Sequence, residues 1–125
     1  MPVNRISAES LKKIMKGGVN TEDKTTVVVK FYSNTCDLCH ALSDYYVNLS
    51  DLGEYEDVYF FAHNIKDEDG AIAEKLNLNG VPSIALFQTQ AGRCVKTRVL
   101  EDPEKPHEKT WYTVRDIKKF INREK

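Results

Sequence analysis

The sequence has no long hydrophobic run, and this bears on its relation to membranes. No window of its 125 residues approaches the about 20 consecutive apolar residues that cross a bilayer. Residues 1–5, Met-Pro-Val-Asn-Arg, also lack the apolar segment of a secretory signal peptide. We therefore expect no membrane partner and a cytoplasmic location.

An excess of charge of one sign is absent too. The chain has 18 Lys and Arg against 19 Asp and Glu, interspersed along its length, for a formal net charge of −1. No strong basic field is expected, and we predict no nucleic-acid partner. The composition, 41% hydrophobic and 30% charged, is typical of a folded protein. We expect one domain over residues 1–125 and a monomer.

Cysteine is scarce, which excludes a disulfide-rich scaffold. There are three cysteines, two of which form the motif Cys36-Asp37-Leu38-Cys39. In a reducing compartment, such a close pair is more often catalytic, redox-sensing or metal-binding than structural. The spacing of Cys36 and Cys39 therefore matters more than the number of cysteines.

Runs of β-branched and aromatic residues predict the strands. Residues 27–32 are almost uninterrupted in their apolarity, as is typical of a strand buried on both faces of a sheet. Residues 58–62 form a second run. Two more, at 83–87 and 94–100, are joined by a short segment containing glycine, and together they predict an antiparallel hairpin.

Helical spacing of apolar residues predicts four helices. Ser7 can cap the first, and the second begins after the turn-prone residues 33–35 and extends toward Gly53. A third is headed by Asp67-Glu68-Asp69. The last carries an apolar stripe of Trp111, Val114, Ile117, Phe120 and Ile121.

The order of these elements predicts an α/β fold. Alternating strands and helices followed by a hairpin and a closing helix give a central mixed β-sheet flanked by helices, a three-layer sandwich. The two cysteines then lie where a buried strand ends and a helix begins.

Their position gives the cysteines a chemistry. With Cys36 as the N-cap and Cys39 at the third helical position, helix geometry separates the Cα atoms by about 5 Å, within the range of roughly 4.4–6.8 Å that a disulfide accepts. The unpaired N–H groups and positive end of the helix stabilise a thiolate at Cys36. Such a thiolate attacks a substrate disulfide, and Cys39 then resolves the mixed disulfide.

Three features together resemble the thioredoxin family. They are the strand at 27–32 leading into the CxxC motif, the later Gly80-Val81-Pro82-Ser83, and the strand at 84–87 with a glycine-containing turn after it. The resemblance implies a thioredoxin-like fold and a thiol–disulfide oxidoreductase with Cys36 and Cys39 as catalytic residues, acting as a reductant in electron transport and cell redox homeostasis. It implies no cofactor beyond their redox-active disulfide.

The resemblance also implies how partners are bound. In the family, the residues matching Val81 and Pro82 have a cis peptide bond, lie against the CxxC motif and pair with the substrate backbone. We therefore expect Thr35, Val81 and Pro82 to bind substrate. The partners expected are proteins carrying disulfides and a reductase that recycles the site.

Several positions depart from the family pattern near the cysteines. Thr35 stands where tryptophan is usual, and Asp37 and Leu38 replace the common Gly-Pro pair. Asp37 suits a helix N-terminus yet places a like charge beside the Cys36 thiolate, so the two effects oppose one another. His40 follows the motif and could tune it through its charge.

Lys30 is a departure within the strand below the site. The family often has a buried aspartate there, thought to relay a proton for the second cysteine, and a lysine cannot serve as a carboxylate base. Its ammonium would favour a thiolate if it reaches the sulfurs. The alternative is that the side chain extends to water and has no chemical role. We therefore predict Lys30, Asp37, Leu38 and His40 as residues that tune the site.

The end of the second hairpin strand and the segment after it also depart from the family pattern. Leu100 replaces a family glycine where partners approach, and the mixed-charge segment 101–109 is longer than usual. Both features predict a partner set that differs from that of a general thioredoxin.

Other functions fit parts of the pattern. Cys36, Cys39 and His40 also match a haem attachment motif, and with His63 or Cys94 they could hold zinc, although Cys94 is more typical of a strand interior and His63 of a strand end at the surface. Glutaredoxin hallmarks are missing. The main alternative is a thioredoxin-fold interaction module whose thiols are incidental, and substitution of Cys36 would separate it from an enzyme.

Overall fold

The computed structural model describes residues 3–17, 22–67 and 70–125. Within these residues the chain has five β-strands and four α-helices, with two short 3-10 turns. In chain order they are β1 (Asn4–Arg5), α1 (Ala8–Met15), β2 (Thr25–Tyr32), α2 (Asp37–Ser50), β3 (Val58–Asn64), α3 (Ala71–Lys75), β4 (Ser83–Gln90), β5 (Arg93–Val99) and α4 (Val114–Glu124). No helix in these ranges is long and apolar enough to span a membrane.

The strands form one mixed sheet in the order β1-β3-β2-β4-β5. β2 lies at its centre, parallel to β3 and antiparallel to β4, and β5 pairs antiparallel with β4 at one edge. Lys30 of β2 is opposite Ala62 on one side and Ile84 on the other. The backbone of β2 is therefore fixed by pairing along both of its edges.

Helices cover both faces of the sheet, which confirms the predicted three-layer sandwich. α2 and α4 pack on the face that carries Val28 and Leu86. α1 and α3 pack on the opposite face, against Val27 and Val29. Because successive residues of a strand point to opposite faces, the apolar run of β2 serves both cores. Each fully buried apolar side chain contributes about 1.5–3 kcal/mol to folding.

The main predicted elements are confirmed. The run at 27–32 lies in β2, the hairpin is β4 and β5, and the helix after the cysteines is α2, which ends at Ser50. Ser7 caps α1, where its side chain accepts a hydrogen bond from the amide of Ser10. The third helix is shorter than predicted, and Glu68 and Asp69 lie outside the described residues.

One strand was not predicted and one prediction, the surface position of His63, is wrong, and the two have a shared reason. β1 was not predicted, since two residues carry no periodicity, yet it pairs with Phe61 and Ala62 of β3. The segment that contains β1 covers His63, which is 0% exposed rather than at the surface, and a ring nitrogen of His63 lies 2.9 Å from the carbonyl oxygen of Ile6.

The start of the last helix also differs from prediction. α4 begins at Val114, because Thr113 and Asp116 form a capping box in which each side chain accepts from the other residue's amide. Trp111 therefore precedes the helix instead of lying in its apolar stripe. Its backbone is left-handed, with φ 65°.

Candidate active site

The end of β2 and the start of α2 place the two cysteines. A turn follows β2, in which the amide of Cys36 donates to the carbonyl of Ser33 at 3.3 Å. Cys36 is the N-cap of α2, and its Sγ accepts a hydrogen bond of 3.1 Å from the amide of Cys39. A sulfur thus occupies the place of a capping oxygen, where the N–H groups and positive end of the helix favour negative charge.

The two cysteines form a disulfide whose Cα atoms are 5.2 Å apart, close to the separation expected from helix geometry. Their surroundings are unequal. Cys36 is partly exposed, whereas Cys39 is 1% exposed against the core. A substrate therefore has access to the sulfur of Cys36 and not to that of Cys39.

The loop before β4 lies beside this motif. The Val81–Pro82 peptide bond is cis. Val81 and Pro82 line a recess of about 170 Å³ that Leu38, between the two cysteines, also lines. The structure therefore brings together three of the residues predicted to bind substrate or tune the site.

Lys30 is buried beneath the motif, with a relative exposure of 4%. Its Nζ donates to Ser43 Oγ at 2.9 Å and to the main-chain oxygen of Cys39 at 3.5 Å. The same atom lies 5.7 Å and 5.5 Å from the ring centres of Tyr32 and Tyr46, within cation–π range. The alternative in which this side chain extends to water is therefore wrong.

Burial changes the acidity of this lysine. Removal of the ammonium from water lowers the pKa of Lys30 from 10.5 to about 8, because desolvation disfavours its charged form. The group is still mostly protonated at neutral pH. A positive charge thus sits within one contact of the main chain of Cys39.

A second recess, of about 210 Å³, opens on this lysine. It is lined by Lys30, Tyr32, Cys39, His40, Ser43 and Ala62. His40 is exposed at its rim, and its Nε2 lies 2.9 Å from the carbonyl oxygen of Asn34. Lys30 and Cys39 therefore line the same recess.

The remaining predicted residues lie around the motif. Thr35 is exposed in the turn before Cys36, and Asp37 is exposed in the first turn of α2. Leu100 is half-buried after β5, and its amide donates to the carbonyl of Ile84 at 2.8 Å. Cys94 lies in β5, partly buried against the core on the α1 side.

Two residues of the first recess were not predicted as site residues. Asp102 and Trp111, from the segment between β5 and α4, line it together with Leu38 and Pro82. The unusual length of residues 101–109 was the only sequence signal for this region, and it did not single out either side chain. The apolar periodicity assigned Trp111 to the buried face of a helix, and it was therefore not considered as a site residue.

A larger cavity of about 610 Å³ lies elsewhere, between the middle of α2 and residues 107–114. Neither Cys36 nor Cys39 lines it, so cavity size does not locate the redox chemistry. Among residues 3–17, 22–67 and 70–125, no three His, Cys, Asp or Glu side chains are grouped so that they could hold a metal ion.

A partly exposed sulfur at a helix N-terminus, bonded to a buried one three residues later, defines a thiol–disulfide oxidoreductase site. The family model described as thioredoxin matches residues 7–105. The chain belongs to the thioredoxin family, whose members need no cofactor beyond this redox-active disulfide. No curated protein matches the chain in sequence.

Solved structures show the same fold at low sequence identity. Thioredoxin f from spinach chloroplast is 22% identical with a TM-score of 0.58, over 78% of this chain and 80% of that one. A thioredoxin from Malassezia sympodialis is 19% identical with a TM-score of 0.57, over 78% and 80%. A chain from a complex of ferredoxin:thioredoxin reductase and thioredoxin f2 is 17% identical with a TM-score of 0.67, over 98% and 94%.

Proposed function

We propose that this chain reduces disulfides in other proteins. The Cys36 thiolate attacks one sulfur of a substrate disulfide, so that a mixed disulfide forms and the first substrate sulfur leaves as a thiolate. Cys39, after loss of its proton, attacks Cys36 and releases the second sulfur. Two electrons pass to the substrate, and the chain is left as the Cys36–Cys39 disulfide.

The observation that carries this proposal is the unequal burial of the two sulfurs. The partly exposed Cys36 can meet a substrate, whereas the buried Cys39 can reach only its neighbour. The amide of Cys39 and the helix N-terminus stabilise the Cys36 thiolate that attacks the substrate. A resolving cysteine shielded in this way does not react with a second substrate molecule.

Substrate binding is assigned to Thr35, Val81 and Pro82. Val81 and Pro82 share a recess with Leu38 of the motif, and Thr35 precedes Cys36 on the exposed turn. The extended chain of a substrate laid across Val81 would therefore bring its disulfide beside Cys36.

A separate reductase is proposed to return two electrons and two protons to the disulfide after each turnover. A similar chain was crystallised in a complex with ferredoxin:thioredoxin reductase, which supports a reductase as one kind of partner. The monomeric state and the cytoplasmic location stay predictions, which sedimentation and cell fractionation would test.

Turnover of a protein disulfide by single-cysteine variants tests the proposal. We expect Cys36→Ser to abolish reduction of insulin by dithiothreitol-recycled protein. Cys39→Ser should instead accumulate a mixed disulfide with the substrate, because resolution is lost. Cys94→Ser, the matched control, should keep its activity, since Cys94 lies in β5 away from the motif.

The same variants separate an enzyme from an interaction module. Undiminished insulin reduction by Cys36→Ser would contradict the proposed function. If the wild-type chain shows no turnover and Cys36→Ser still binds a partner protein, the interaction module would be favoured.

A further inference from the structure

The recess beside the motif has two walls of different origin. Leu38 and the residues Gly80, Val81 and Pro82 form the wall that belongs to the redox site, and Asp102 and Trp111 form the other. The second wall comes from the segment between β5 and α4. A substrate segment that lies along Val81 and Pro82 would therefore contact both walls.

Trp111 is held in this wall by an uncommon backbone conformation. A bulky residue with φ 65° is strained, and such strain persists only where surrounding contacts hold it. Here the amide of Trp111 donates to the carbonyl of His107 at 2.8 Å, and the amide of His107 donates back at 2.9 Å. The indole Nε1 donates to Asp102 Oδ1 at 3.1 Å. These bonds fix the indole and the carboxylate relative to each other.

Asp102 brings a carboxylate to this recess. Its two oxygens accept from neutral donors, the indole of Trp111 and, at 3.5 Å, the side-chain amide of Asn79. Asp102 is exposed at the rim. Asp37, the exposed residue before Leu38, is a second acidic side chain at the start of α2, although it does not line the recess.

We infer that Asp102 and Trp111 are specificity-determining residues that select protein disulfides with a lysine or arginine beside the reactive cysteine. This inference rests on the proposed function. A carboxylate next to an indole is a suitable site for an ammonium or guanidinium group, since the cation contacts the acid and the ring together. An acidic residue at the same substrate position would meet the charge of Asp102 instead.

Trp111 provides the test, because it is the only tryptophan of the chain and its fluorescence reports on this recess. Short peptides with serine in place of cysteine, flanked by lysine, glutamine or glutamate, are titrated into the oxidised protein. We expect the lysine peptide to bind about two- to fivefold more tightly than the glutamine peptide, and the glutamate peptide most weakly. Salt should reduce the difference.

Two variants locate the effect. Asp102→Asn keeps an oxygen acceptor for the indole but removes the charge, and it should abolish the preference for lysine. Glu101→Gln removes an equal charge from the adjacent exposed position and should keep the preference. Equal binding of the three peptides, no response of Trp111 to any of them, or a preference that survives in Asp102→Asn would overturn the inference.

Reduction of the corresponding disulfide peptides is measured in parallel to separate this inference from the proposed function. Turnover of all three peptides at equal rates would overturn the charge selection and leave the reductase intact. Charge-dependent binding without any turnover would confirm the selection by Asp102 and Trp111 and contradict the proposed function.

Discussion

The two recesses that flank the start of α2 carry opposite charges. One contains the buried ammonium of Lys30 beside Cys39, and the other contains the exposed carboxylate of Asp102 beside Leu38. The positive group contacts the main chain of a redox cysteine, whereas the negative group lies where a substrate would pass. We therefore propose that Lys30 tunes the chemistry of the sulfurs from one recess and that Asp102 influences the choice of substrate from the other.

The two sides also differ in how firmly the fold fixes them. Lys30 lies in the central strand, and its backbone pairs with β3 and β4. Asp102 and Trp111 lie in a connecting segment held by a single bridge between His107 and Trp111 and by side-chain contacts. Connecting segments tolerate change better than central strands. We therefore expect substitutions of Lys30 to affect stability and redox potential, and those of Asp102 to affect substrate choice.

The largest effect expected is the pH dependence of stability caused by Lys30. Its folded-state pKa, about 8, lies below its unfolded value of 10.5, so between these values the unfolded chain binds a proton that the folded chain does not. The free energy of unfolding therefore increases with pH in this window, by about 2 kcal/mol between about pH 7.5 and about pH 9.5. Urea denaturation of the oxidised protein measures it.

Lys30→Met should remove this increase. The pH must stay below about 10. Burial raises the pKa of Tyr46 in the folded protein well above its usual value. At higher pH the tyrosine therefore ionises in the unfolded chain but not in the folded one, and the free energy of unfolding decreases. An increase of equal size in Lys30→Met would show that another group causes it. Lys66→Met, at an exposed lysine, should behave as the wild type.

A smaller effect is expected from the backbone of Trp111. Both Trp111→Ala and Trp111→Gly lose the indole, but glycine adopts positive φ without strain. The glycine variant should therefore be more stable than the alanine variant by about 1 kcal/mol. At exposed Tyr45, inside α2, the order should be reversed by a similar amount, since glycine is unfavourable within a helix. Alanine more stable than glycine at both positions would contradict the role given to this backbone.

The next effect in size is a shift of the redox potential of the Cys36–Cys39 pair. The ammonium of Lys30 stabilises thiolate in the reduced protein, so Lys30→Met should make the potential more negative by about 10–30 mV, which corresponds to about 0.5–1.4 kcal/mol. Equilibration with glutathione at about pH 7, where the ammonium is charged, measures the shift. No shift, or a shift in the positive direction, would exclude Lys30 as a group that tunes the sulfurs.

The smallest effect is expected for His40. Its ring is exposed, and the contact with the carbonyl of Asn34 is at the surface. His40→Ala should change the free energy of unfolding by about 0.5 kcal/mol or less and the potential by less than Lys30→Met does. A larger shift for His40→Ala would transfer the tuning role from the buried lysine to the surface histidine.

The redox half of the site could be predicted because its signals are local. The buried run of β2, the turn after it and the helical spacing of α2 place Cys36 and Cys39 without knowledge of distant contacts. The position of Pro82 beside them came from the family resemblance. The burial of Lys30 was weighed against an exposed alternative, since one polar residue in an apolar strand is compatible with both.

The second wall of the recess could not be predicted, because the hydrogen bonds that place it, between His107 and Trp111 and between Trp111 and Asp102, leave no pattern in the sequence. Trp111 precedes Val114 by three residues, which is a helical spacing, but the capping box at Thr113 starts the helix after Trp111. His63 shows the same limitation, since a two-residue strand far away in sequence accompanies its burial. Long-range pairings of this kind leave no periodicity in the sequence.

Equilibrium redox titration of Cys36 and Cys39 against glutathione tests the central claim most directly. Performed in Cys94→Ser, with alkylation and mass spectrometry, it follows the two sulfurs alone. A reductant should show one two-electron transition at a potential nearer to about −270 mV than to about −180 mV. A pair that stays reduced or oxidised throughout would contradict a redox function, and a transition near −180 mV or above would contradict the direction proposed.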